Sequence, residues 1–186
     1  MTASRRRTVL LVAAVEHEAV ALPADLPVLL TGVGKVNAAL QVSRALANPA
    51  ERPDLVVNVG TAGALHDGMG GTHLIGRVQQ HDLDSVVLEQ LTGHRYGRAI
   101  LLGDGPTLAT GDVFVSDAQT RARLAEHADL VDMEGYAVAA ACRMAGVPVR
   151  LVKHVSDRAD EGARTSWLDS VHQASAALGD WLRTYL

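Results

Sequence analysis

A chain of 186 residues, 48% of them hydrophobic and 20% charged, is long enough to bury a sizeable core as one domain spanning residues 1–186. With 17 basic against 21 acidic residues, its formal net charge of −4 gives no footprint for nucleic acid or an anionic membrane surface. The single cysteine, Cys142, excludes a disulfide framework within the chain.

Arg5-Arg6-Arg7 before an apolar run loosely imitates a signal peptide, but the run is short and stops at Glu16-His17-Glu18 with no small-residue cleavage site. Thr8 to Val15 reads instead as a first strand buried on both faces. No segment approaches the ~20 apolar residues of a membrane span. A cytoplasmic location is therefore expected. Pro27 to Thr31 predicts a second short strand, ending in the turn Gly32-Val33-Gly34. From Lys35 to Ala47, Val36, Ala39, Leu40 and Leu46 recur at helical spacing, and Asn48-Pro49 stops the helix. Asp54 to Val59 predicts the next buried strand, closed by a Gly60-Thr61-Ala62-Gly63 turn. A strand pair is expected at His73–Val78 and Ala99–Leu102, with Thr92 to Tyr96 in a loop between them.

Further on, Val113 to Ser116 reads as a short extended piece and Asp117 to His127 as a helix capped by Asp117. Gly135 to Ala145 is helical and holds Cys142 as a buried small hydrophobe. Gly146 and Pro148 end that helix, and Val149 to Val155 forms a buried strand with Ser156 and Asp157 just past its carboxyl end. The last helix, Thr165 to Tyr185, carries the apolar stripe Trp167, Val171, Ala174, Leu178, Trp181 and Leu182, spaced to cover one sheet face. Strands alternating with helices imply an α/β fold with helices on both sides of the sheet.

Ligands of open α/β sheets bind outside the carboxyl ends of strands, so the polar corners there are the candidates for chemistry. Glu134 and Asp157 occupy two such corners, separated by one helix and one strand. Glu16 and Glu18 follow strand one, where they either act on a ligand or simply favour a helix's positive end. The glycine turns at Gly32-Val33-Gly34 and Gly60-Thr61-Ala62-Gly63 let a ligand approach the backbone, or serve as tight turns. Phe114 is the only phenylalanine, at a loop junction that suits core or ligand. His81-Asp82 and His154 lack metal-ligand spacing, so neither a metal nor another cofactor is expected.

In order, TGVGKVNAA, VVNVGTAGAL, HDLD, GDVFVSD, VDMEGYAVAAAC and VSDRAD resemble the nucleoside phosphorylase/nucleosidase superfamily. They are most similar to its branch acting on methylthioadenosine and S-adenosylhomocysteine. That resemblance implies a three-layer α/β sandwich with a mixed central sheet, a small-molecule purine nucleoside as substrate, and a homodimer. It implies that Asp157, beside Ser156, protonates N7 of the base, and that Glu134 binds ribose hydroxyls with Met133 under the sugar. Glu18 would orient the attacking water, Phe114 would stack near the base and the Val115 backbone would read its edge. Gly60, Thr61, Ala62, Gly63 and Asp132 would complete the binding wall. The chain departs from the family by shortening between Glu18 and Pro27 and between Asp84 and Gly111, and by Lys153 where an arginine often stands. Asn58 stands where phosphorylases carry an arginine, and Glu16 and Glu18 would repel phosphate, so hydrolysis is expected. A futalosine hydrolase, a purine nucleoside phosphorylase and a nucleoside binder without turnover are the rival readings.

Overall fold

The computed structural model describes residues 7–186, which leaves Arg5 and Arg6 of the basic triplet outside the described residues. Its centre is the ten-residue strand β3 (Leu55–Ala64), flanked in parallel by β1 (Val9–Ala13) on one edge and β9 (Val149–Asp157) on the other. β2 (Val28–Leu30) extends the sheet beyond β1. β4 (Thr72–Leu74) runs antiparallel to β9. The far end of β3 pairs antiparallel with β8 (Leu130–Asp132), which continues the sheet through β7 (Thr107–Thr110), β5 (Arg77–Gln80) and β6 (Ile100–Leu101). Because β3 serves both halves, the mixed sheet curls around it.

Helices cover both faces. α2 (Lys35–Ala45) and α5 (Gly135–Ala145) lie on one, where Ala38, Val42, Val138 and Cys142 pack on Val12 and Val56. α6 (Ala163–Tyr185) lies on the other, where Leu178 and Leu182 pack on Leu11, Ala13, Val57 and Val152. Leu11, Val12 and Ala13 thus send alternate side chains to opposite layers, as period-two geometry requires. Fully burying one such leucine contributes ~1.5–3 kcal/mol. The expected three-layer sandwich is present. Among the described residues, no helix is long and apolar enough to cross a membrane.

Several local expectations need correction. Gly60 to Gly63 is strand, not turn: β3 runs straight through it. Glycine is needed at Gly63 because a β-carbon there would lie 2.9 Å from Asp157 Oδ1, and glycine inside a strand marks such a close approach. His73–Val78 splits into β4 and β5, and Val113–Ser116 is irregular, the strand being Thr107–Thr110 just before it. Leu130–Asp132, just before α5, is a further strand that the sequence pattern did not mark. Ser156 and Asp157 are the last residues of β9 rather than residues beyond it. α1 (Glu16–Ala19) and α3 (Ser85–Thr92) were not anticipated; α3 is capped by the Asp84 side chain and the left-handed Gly93. The Asp117 cap is present, accepting from Thr120 N at the start of α4 (Ala118–Ala125).

Candidate active site

Around the carboxyl ends of β1, β3 and β9 lies a cavity of about 240 Å³. Its walls include Glu18, Thr61, Ala62, Gly63, Phe114, Val115, Asp132, Met133, Glu134, Ser156 and Asp157, brought together from five separate stretches of chain. Gly60 is not on the wall. It lies beneath, where a β-carbon would stand 3.1 Å from Glu18 Oε1 and 3.3 Å from Lys153 Nζ.

A register slip forms the acidic corner. Ala62 pairs with Val155 but Gly63 pairs with Asp157, so Ser156 is an extra, bulged residue. Regular strand alternation would send Ser156 and Asp157 to opposite faces; the bulge re-aims them so that both reach the cavity. Asp157 Oδ2 accepts from Ser156 Oγ at 2.8 Å and Oδ1 accepts from Ala159 N at 2.8 Å. Burial lifts the Asp157 carboxyl above its ordinary range, the two donors hold it back, and Asp160 pushes it up again. This group is biased toward keeping a proton.

Opposite it, Glu134 stands at the start of α5, 8% exposed, with Oε1 accepting from Gly34 N at 2.8 Å. Gly34 can present that N–H because its φ of 95° is open to glycine. The turn before α2 therefore binds a protein carboxylate, and the Lys35 N–H likewise goes to Asp112 Oδ1 at 2.7 Å. Burial pushes Glu134 up to about 7, with Asp132 and Glu18 adding to the rise and Lys153 and the Gly34 N–H opposing it.

Beneath these groups lies Lys153, 2% exposed, its Nζ 2.9 Å from Asp132 Oδ2. Burial works to lower the ammonium, but Asp132, Glu134 and Glu18 together hold it above its ordinary value. Asp132 is fully engaged: Oδ1 accepts from Thr110 Oγ1 at 2.6 Å, and Oδ2 also accepts from Gly135 N at 2.8 Å. Its carboxylate faces inward to the lysine, the strand and the helix start.

The fourth carboxylate is Glu18 on α1, buried at 5% exposure. Its Oε1 accepts from Thr61 N at 2.7 Å and Thr61 Oγ1 at 2.8 Å. Oε2 is buried without a partner in the protein. A buried oxygen left unpaired is costly unless a ligand or water completes it, and this one belongs to a residue lining the cavity.

Sequence reasoning missed Trp167 and Lys153 as parts of this arrangement. Trp167 was assigned to the sheet-covering stripe; it lines the cavity instead, and its indole N–H donates to Thr61 Oγ1 at 2.9 Å. Its position in the second turn of α6, one step before the buried Val171, was the available signal. Lys153 was noted only as a departure, although a lone lysine inside an apolar strand signals a buried charge needing partners. Among the described residues, no group of three or more His, Cys, Asp or Glu could hold a metal ion.

The model of the phosphorylase superfamily matches residues 81–186. A 5′-methylthioadenosine/S-adenosylhomocysteine nucleosidase of Bacillus pumilus is 30% identical over 173 residues, covering 79% of this chain and 74% of the relative. One from Exiguobacterium sp. is 29% identical over 180 residues, covering 80% and 74%. Among solved structures, a Neisseria meningitidis nucleosidase of the same name, in complex with methylthio-immucillin-A, matches with a TM-score of 0.81 at 23% identity, covering 95% and 96% of the two chains. The futalosine hydrolase of Helicobacter pylori matches with a TM-score of 0.82 at 20% identity, covering 95% and 96%. At these identities the two structures speak to the fold.

Proposed function

This chain belongs to the phosphorylase superfamily, and from that premise we propose that it hydrolyses the N-glycosidic bond of a purine nucleoside of the methylthioadenosine/S-adenosylhomocysteine type. One observation carries the reading: of the four buried carboxylates that line a single cavity, Asp132 is paired with Lys153, while Glu18, Glu134 and Asp157 each stand in a different setting.

Breaking the bond leaves positive charge on the sugar and negative charge on the base. Asp157, biased toward its protonated form, delivers a proton to N7 and neutralises the leaving group. Glu134 accepts hydrogen bonds from ribose hydroxyls. Those donors favour its anion, which in turn favours the oxocarbenium-like sugar. Glu18 offers the unpartnered Oε2 to a water and acts as general base on it. Met133 packs under the sugar, while Phe114 and the Val115 backbone take the base. Asp132 acts through Lys153 and α5 rather than on the substrate, since its oxygens are engaged within the protein.

Water rather than phosphate is the nucleophile in this reading. Asn58 is buried and its amide donates to Val12 O, so it brings no positive charge. Lys153 is matched by Asp132. Base release from methylthioadenosine, S-adenosylhomocysteine and futalosine would be followed in phosphate-free buffer and with phosphate added. Adenine and free sugar at equal rates in both buffers are expected. Turnover confined to phosphate, giving a sugar 1-phosphate, would overturn the reading, and binding without turnover would favour a nucleoside binder.

A cytoplasmic homodimer is part of the same proposal. The family resemblance supports it, as does the apolar rim of the cavity, where Val113 is 60% and Phe114 38% exposed. Light scattering at assay concentration is expected to give twice the chain mass. A fully active monomer would remove this element.

A further inference from the structure

Resting on the proposed hydrolysis, we propose that Trp167 is a positioning residue that sets the direction of the hydrogen bonds holding Glu18, through Thr61. An indole N–H can only donate. At 2.9 Å from Thr61 Oγ1 it occupies a lone pair of that hydroxyl, which has a single proton to give. The partner left for that proton is Glu18 Oε1, 2.8 Å away. The Thr61 N–H donates to the same oxygen at 2.7 Å. Glu18 is thereby held as an acceptor, with Oε1 doubly bonded and Oε2 left for the water. Chains of hydrogen bonds running in one direction polarise and strengthen each other.

The indole is itself fixed by the strand that bears the acid. Ser170 Oγ, one helical turn beyond Trp167, donates to Ser156 O at 3.0 Å and ties α6 to the end of β9. The same segment therefore carries the proton donor Asp157 and, ten positions later, the residue that orients the base. The apolar residues of α6 buried in the core are Ala163, Val171, Ala174, Leu178 and Leu182; Trp167 is not among them and lines the cavity instead.

Trp167→Phe keeps the ring and removes the donor. Its kcat is expected to fall about 10-fold, a part of the ~100-fold or more that a positioned base contributes, with KM within about twofold. Because the indole acts through Thr61, Thr61→Val alone and Thr61→Val/Trp167→Phe are expected to turn over at the same rate. Independently of turnover, the chain's two tryptophans give two indole N–H resonances in ¹⁵N-labelled protein. The one lost in Trp167→Phe is expected to move upfield in Thr61→Val. An unmoved resonance would overturn the proposal even if no nucleoside were cleaved, which separates its failure from that of the hydrolase reading. Equal losses from Trp167→Phe in the wild-type and Thr61→Val backgrounds, or a change in KM alone, would also overturn it.

Discussion

Asp157→Asn is expected to lower turnover at least ~100-fold while nucleoside binding survives. The substitution keeps the size of the side chain and can keep its anchors. The new amide oxygen accepts from Ala159 N, and the amide nitrogen donates to Ser156 Oγ, whose own proton can turn to Ala62 O, 3.4 Å away. What is lost is a proton that can be released to N7. Without it the base must depart as an anion, and general acid catalysis of this kind is typically worth ~100- to 10,000-fold. Burial raises the Asp157 pKa, so in the wild-type protein the acid form persists to higher pH than for an exposed aspartate, and turnover falls as pH rises through that value. The alkaline limb of the pH profile should change in Asp157→Asn. Steady-state turnover and ligand titration of the folded variant decide the matter, and near-normal turnover would overturn the assignment.

The layers of the fold were legible because they rest on hydrophobic pattern. Thr8–Val15, Gly135–Ala145 and Val149–Val155 are long apolar runs bounded by polar or breaker residues; the helix has the expected bounds and the two strands differ by a residue or two at the ends. The errors fell where tertiary contacts override local signals. Gly60 and Gly63 carry a turn's composition, yet they lie within β3, paired with β9, and a side chain there would press on Glu18, Lys153 and Asp157. β7 and β8 are four and three residues long, too short for periodicity to register. α3 buries no residue, so no stripe marked it.

The cavity was legible for another reason. Its acidic residues follow strands, and strand ends converge in this class of fold. Composition and spacing cannot say which carboxylate oxygens are already taken. Asp132 and Glu134 are two positions apart in one motif, yet Asp132 is engaged by Lys153, Thr110 and Gly135 while Glu134 has only the Gly34 N–H. Nor can a sequence reveal that a bulge at Ser156 brings two consecutive side chains to one wall.

Lys153→Met is expected to destabilise the folded protein by about 3–5 kcal/mol, the usual cost of stripping one partner from a buried ion pair. The ammonium is 2% exposed and lies 2.9 Å from Asp132 Oδ2. Glu134 and Glu18 also feel its field. Methionine fills similar space but leaves Asp132 beside two other buried carboxylates with no cation among them. Glu134, already pushed up to about 7, loses one of the influences holding it down, so its anion becomes scarcer at neutral pH and sugar contacts weaken. Two further variants separate charge from packing. Lys153→Arg retains the cation and should keep most of the stability. Lys153→Met/Asp132→Asn removes both charges and should recover part of the loss, since a neutral amide can still accept from Thr110 and costs less to bury. Urea unfolding of the three variants reads this out. A Lys153→Met protein within about 1 kcal/mol of wild type, less than any broken buried pair should cost, would mean that the lysine does not neutralise this carboxylate cluster.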